Sequence, residues 1–299
     1  LSGEIASNLQ VLSYQDTGFV AYADMNTVFV KKRSGNSWTT VGSYETENNY
    51  FKLIYGHDNK PLFVTLSRGQ ADVGTTGFYA DIHLYENGSM VLLESELLEF
   101  VADNDVSNLQ VSNFDFTANS DGDMACIIRF PSSARSVYNA KIGDNPWYAE
   151  TVFYSAIGGS SGNAIERSKL SFNNKGVTIV SKLFNQSLGS AHIFLHSTTS
   201  STPISSHVNS GAFSVGSGVD PIKITSKGDT TYAVIPDQNS NEILWKFYHD
   251  ASNEPLSLSQ ILNYGSNFPN VVPHFTETEN YISYFEPDFS STGYVATVS

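Results

Sequence analysis

Cysteine is almost missing from this chain: Cys126 is the only one in 299 residues. An intramolecular disulfide is excluded, and cysteine usage says nothing about redox compartment. Its setting, Met124-Ala125-Cys126-Ile127-Ile128, is a strand-like apolar run. It reads as a buried small hydrophobe, because a nucleophilic thiolate needs a base and an electropositive setting. Basic residues are scarce as well. Sixteen Lys and Arg stand against 30 Asp and Glu, a net charge of −14. The densest basic run, Lys31-Lys32-Arg33, falls far short of the stripe that a phosphate backbone requires, so nucleic acid is not an expected partner. The negative balance also argues against docking on anionic membranes. No apolar run approaches the ~20 residues of a membrane helix, so membrane insertion is not expected. Tryptophan is limited to three residues, and no stretch carries a helical period of useful length. The chain begins at Leu1 rather than Met, which reads as a trimmed or mature form.

What is present is strand material. Tyr, Phe, Val, Ile and Thr suit a pleated, half-buried surface, and the low charge content, 15%, leaves Ser, Thr and Asn as the polar residues. A cycle of strand, polar turn, strand, loop, strand recurs about every 50 residues. Its clearest marker is a tight polar turn before the second strand of each unit. Asp16-Thr17-Gly18 precedes Phe19–Tyr22, His57–Lys60 precedes Pro61–Val64, and Ser120–Asp123 precedes Met124–Ile128. Asn173–Gly176 precedes Val177–Val180, Ser226–Asp229 precedes Thr231–Ile235, and Glu277–Asn280 precedes Tyr281–Phe285. Gly, Asn and Asp fill such turns because hairpins demand positive φ. Ser7-Asn8-Leu9-Gln10-Val11 also returns letter for letter as Ser107–Val111, 100 residues on, which reads as an echo across two units.

Six such units predict an all-β fold: a six-bladed β-propeller of four-stranded antiparallel blades in one domain, 1–299. The expected blades are 7–42, 50–94, 107–153, 168–208, 219–262 and 270–299. The last runs out of chain after three strands, and residues 3–6 are expected to supply its fourth and close the ring, removing exposed edges. Ser95–Val101 reads as a short turn or a strand continuation. A pair of β-sandwiches is the alternative, but it leaves the 100-residue identity unexplained.

One stretch resembles a known class. Gly18-Phe19-Val20-Ala21-Tyr22-Ala23-Asp24, Val28-Phe29-Val30-Lys31-Lys32 and Gly35–Gly42 look like a blade of bacterial secreted or surface β-propellers, distantly similar to sialidase-like and fucose-lectin-like propellers. The resemblance implies a fold, and folds host many functions. A sialidase-like chain would carry Ser-x-Asp-x-Gly-x-x-Trp turns, and none is present. A fucose-lectin-like chain would carry an Arg, a Glu and a Trp in each blade. Here Trp38 and Trp147 occupy fourth strands and Trp245 a third, where blade packing is the plainer role.

Candidate ligand-binding residues follow from the cycle. Arg68 and Arg129 fall just after second strands of adjacent units. Asp24, Asp237, Glu286 and Asp288 follow second strands at comparable positions, and ring closure would bring units five, six and one together. Catalytic residues are not assigned. Asn119–Asp123 and Asp103–Asp105 offer the alternating oxygens that Ca²⁺ accepts, but neither has a bidentate Glu at loop spacing, and a hairpin turn explains the first without metal. His192 and His196 sit about 13 Å apart on one strand face, too far for one zinc. No metal site and no other cofactor is assigned. The reading expected is an extracellular, cell-surface or periplasmic module that binds a glycan or protein partner on one face of the propeller. A carbohydrate-active hydrolase or lyase using channel-mouth carboxylates, and a structural or adhesion module of a longer surface protein, are the alternatives.

Overall fold

A computed structural model describes residues 7–46, 49–102, 111, 113–130, 135–152, 164–184, 189–197, 206–215, 222–236, 242–248, 257–263, 272–275, 280–285 and 293–297. Among them there is no α-helix, and a 3-10 turn stands at His57–Asn59. The strands form six consecutive antiparallel meanders, the blade element of a β-propeller. The first sheet is β1 (Ser7–Tyr14), β2 (Thr17–Asp24), β3 (Thr27–Ser34) and β4 (Ser37–Glu45). The second is β5 (Phe51–Tyr55), β6 (Pro61–Asp72), β7 (Thr75–Glu86) and β8 (Ser89–Ala102). The third is β9 (Asn113–Ala118), β10 (Met124–Phe130), β11 (Arg135–Lys141) and β12 (Tyr148–Val152). The fourth is β13 (Ala164–Asn173), β14 (Gly176–Phe184), β15 (Gly189–Ser197) and β16 (Ser206–Val215). The fifth is β17 (Lys223–Lys227), β18 (Thr230–Pro236), β19 (Glu242–Tyr248) and β20 (Ser257–Asn263). The sixth has three strands, β21 (Val272–Phe275), β22 (Asn280–Phe285) and β23 (Gly293–Thr297). Residues 3–6, expected to complete it, lie outside the described residues.

The chain divides into two compact units, Leu1–Val152 and Phe153–Ser299. In the first, the second sheet is sandwiched. Its Phe51, Leu53 and Phe63 pack with Phe19, Ala21, Val28 and Val30 of the first sheet. Its Leu62, Val64, Leu66, Phe78, Ala80 and Ile82 pack with Phe114, Phe116, Met124, Cys126, Ile128 and Phe130 of the third. A sheet covered on both faces needs apolar residues at every position. That is why Pro61–Leu66 and Met124–Ile128 are unbroken buried runs rather than alternating ones.

Polar groups join neighbouring first strands. The Gln10 amide on β1 spans to β5, donating to Phe51 O at 2.9 Å and accepting from Leu53 N at 2.8 Å. Lys52 of β5 forms an ion pair with the buried Asp115 of β9. The Tyr50 hydroxyl donates to Val111 O at 3.3 Å. In the second unit the fourth and fifth sheets meet through hydroxyls instead. Asn173 Nδ2 donates to both Thr178 Oγ1 and Thr231 Oγ1 at 3.0 Å. Ser226 Oγ lies 2.8 Å from Thr231 Oγ1 and from Ser171 Oγ. Thr178 and Thr231 are fully buried, and a buried network of this kind is tolerated only when its members are satisfied.

Of the two readings of Ser95–Val101, strand continuation holds: the segment extends β8, the longest strand described. The first turn is Gln15-Asp16, both at positive φ, and Thr17 and Gly18 already belong to β2. Of the second copy of the pentapeptide only Val111 is described. Val11 pairs with Val20, whereas the corresponding Cys126 pairs with Phe116, not Val111. Val11 is 67% exposed and Val111 buried. The two copies therefore differ at the one position described in both, Val11 and Val111.

Two outcomes are expected. Gln10→Ala strips two partners from the β5 backbone and lowers stability by about 1–3 kcal/mol, read as a lower urea midpoint with unchanged slope; an unchanged midpoint would remove the clamp from the account. Cys126 is fully buried and burial pushes its thiol pKa far up. The native protein should therefore not react with a thiol reagent that labels the urea-unfolded chain within minutes.

Candidate functional site

The described cavity with convergent polar groups lies between the second and third sheets. It has a volume of about 460 Å³, within the roughly 300–1,000 Å³ typical of small-ligand sites. Leu62, Leu84, Leu93, Ala118 and Met124 form an apolar wall; Glu94, Lys141 and His57 supply the polar groups. They come from the β5–β6 turn, the end of β9, the starts of β6 and β10, the ends of β7 and β11 and the early part of β8, so the cavity opens at the end of the sheets that carries the first-to-second-strand turns.

Glu94 is the organising group. Lys141 Nζ donates to its Oε2 at 2.9 Å and Trp147 Nε1 to its Oε1 at 3.0 Å. Glu94 and Lys141 are each about a quarter to a third exposed, so the pair is reachable from solvent but held. A β-bulge puts Glu94 there. Ile82 pairs with Glu94 and His83 with Leu92, leaving Leu93 as the extra residue. Strict alternation from Met90, which packs toward the first sheet, would send Glu94 to that sheet too; the bulge turns it to the third. Glu96 follows on the same face, opposite Ala80. Burial and then the negative charge of Glu94 push its carboxyl pKa up, with Lys141 partly offsetting them.

The mouth is built from two turns locked together. Asp58 N donates to Ser120 O at 3.0 Å, tying the β5–β6 turn to the β9–β10 turn. Gly122 has φ +95°, and a β-carbon there would stand 3.5 Å from His57 Nδ1. The Asn119–Asp123 segment closes on itself. Asn119 Oδ1 accepts from Asp121 N and Asp123 N, Asn119 Nδ2 donates to Asp123 Oδ2, and Gly143 N donates to Asp123 Oδ1. The Asn119 carbonyl and both Asp123 carboxylate oxygens thus accept bonds within and beside the turn. Among the described residues no three His, Cys, Asp or Glu side chains gather as metal ligands; Asp103–Asp105 lie outside them.

Three of the residues singled out from sequence are described, and they lie elsewhere. Asp24 ends β2 at the β2–β3 hairpin. Arg68 on β6 is exposed, with its guanidinium 5.2 Å from the centre of the Phe78 ring. Arg129 on β10 pairs in register with Asn113 and Ser136. All three sit toward the ends of their second strands, away from the cavity. Asp237, Glu286 and Asp288 lie outside the described residues. Sequence reasoning missed Glu94, Lys141 and His57. Trp147 was legible as a packing residue, and it does pack against the core; its second role, bracing Glu94, needed the partner strand to be known.

No known protein family's sequence profile matches the chain, and no curated protein matches it. Among solved structures it is similar to the Aleuria aurantia lectin, a fungal lectin with a six-bladed β-propeller fold. Identity is 12% and the TM-score 0.47, over 87% of this chain and 79% of that one. It is similar to a putative 6-phosphogluconolactonase from Bacteroides uniformis, at 12% identity and a TM-score of 0.46, over 96% and 83%. It is also similar to a bifunctional GH43-CE protein of Bacteroides eggerthii, at 12% and 0.40, over 93% of this chain and 34% of that one. The chain thus spans about a third of that protein's length. No helix among the described residues is long and apolar enough to cross a membrane.

The raised pKa of Glu96 has a testable sign. The folded state holds this proton more tightly than the unfolded chain. The stabilisation is present below the unfolded carboxyl range, about pH 4, and is lost as pH rises through the folded value. Glu96→Gln should therefore melt higher than the parent at pH 7, with the gap closing toward pH 4. Parallel melting curves across that range would show that Glu96 is not strained by its surroundings.

Proposed function

We propose that this protein is a carbohydrate-binding module that takes a saccharide in the cleft between its second and third sheets. The observation that carries this reading is Glu94. Its carboxylate is held by Lys141 and Trp147 at the edge of an apolar-walled cavity. Sugars present hydroxyls around an apolar C–H face, and a site for them needs fixed polar groups beside an apolar wall. The fixing matters because immobilising flexible side chains on binding costs affinity, and here the cost has been met in folding. Glu94 and Lys141 are also partly exposed, so a ligand reaches them without opening the core.

The test is a glycan array followed by calorimetric titration of the hits, on the parent chain and on Lys141→Met and Trp147→Phe. Binding should be present in the parent and weaken by about tenfold or more in Lys141→Met, the loss of one charge-assisted hydrogen bond. Trp147→Phe should weaken it less, since Phe keeps the packing and loses only the brace on Glu94. Circular dichroism would confirm that both variants stay folded. Absence of binding to any saccharide, or binding indifferent to both substitutions, would overturn the reading.

A further inference from the structure

The charges around the cleft narrow the ligand further, on the reading of it as a saccharide site. Among the described residues the cavity lining contains one lysine, Lys141, and no arginine. Its ammonium already serves Glu94 at 2.9 Å and is felt by Glu96, the next residue on that face of β8. At the mouth, Lys60 lies within 3.7 Å of Asp58 and 3.9 Å of Glu86. Both nearby cations are therefore matched or outnumbered by carboxylates, in a chain whose net charge is −14. An acidic sugar would have to draw Lys141 from Glu94 and place a third carboxylate beside Glu94 and Glu96. Such like-charge juxtaposition is costly.

The remaining hydrogen-bond capacity describes the ligand that does fit. An ammonium has three donors and Glu94 uses one; a carboxylate has about four acceptor positions, and Lys141 and Trp147 use two. A donor and an acceptor are thus left side by side. Adjacent ring hydroxyls match that pair: one donates to Glu94 while its neighbour accepts from Lys141. Leu62, Leu84, Leu93 and Met124 then meet the C–H face of the ring. We propose that the cleft selects an uncharged saccharide bearing a free vicinal diol and rejects uronic and other acidic sugars.

The experiment titrates the full chain, at low salt, with methyl galactoside, methyl mannoside and methyl xyloside, with methyl galacturonide as the matched acid, and with a 3-deoxy galactoside that lacks the diol. The neutral glycoside that binds best should exceed the galacturonide and the 3-deoxy galactoside by about tenfold. Glu94→Gln, which removes the repelling charge, should shrink the gap between galactoside and galacturonide to about twofold or less. A galacturonide that binds as tightly as the galactoside, and loses that binding in Lys141→Met, overturns the selectivity while leaving the cleft as a saccharide site. A deoxy analogue that binds equally well overturns the diol. If none of the probes binds, or binding ignores both substitutions, the selectivity and the saccharide reading fall together.

Discussion

A sheet covered on both faces has little room for polar chemistry in its middle, and that constraint shapes this molecule. The second sheet is packed on the first and on the third, so its strand centres are given over to Leu, Val, Ile and Phe. Several of the polar groups that do enter are paired. Gln10 is used up on the β5 backbone and Asp115 on Lys52. His83, buried against the Tyr44 and Phe63 rings, has its pKa lowered by burial. Reactive geometry is left to strand ends, turns and outer strands, which is where the cleft lies.

Two equivalent junctions show how the constraint can be met differently. Asn119 and Asn173 each end or follow a first strand and each hold their turn by accepting two backbone N–H bonds. Each junction also has a turn-to-turn backbone bond, Asp58 N to Ser120 O in one unit and Asn174 N to Gly228 O in the other. Between the fourth and fifth sheets the space behind these turns is filled by Asn173, Thr178, Thr231 and Ser226. Between the second and third sheets, Asn119 bonds within its own turn, and the corresponding space is a cavity of about 460 Å³. Small hydroxyl side chains close one junction; Gly56, Gly122 and Ala118 leave the other open.

Much of the fold was legible because strand cores and turns announce themselves locally. Met124–Ile128 after Ser120–Asp123 is such a pair, and its strand begins where the run begins. The site was not legible, for two physical reasons. Glu94 points to the third sheet only because Leu93 is bulged, and a bulge has no clear sequence mark here. Its partners Lys141 and Trp147 are 47 and 53 residues away, and no periodicity links those positions. The pentapeptide echo carries less than its letters: register is set by turn geometry and by which face must be buried, and Val111, the one described residue of the second copy, is buried where Val11 is exposed.

The bond between Asp58 N and Ser120 O has a consequence for how such a protein can change over time. It joins main-chain atoms only, so it survives most substitutions of the side chains around it. The rim of the cleft can then be rewritten at His57, Asp58, Ser120 or Asp121 while the two sheets stay fastened. Lineages carrying this frame could exchange one ligand for another by altering a few rim letters, without passing through a loosened intermediate. A designer could use the same freedom, diversifying those four positions in a library while holding Glu94, Lys141 and Trp147 constant.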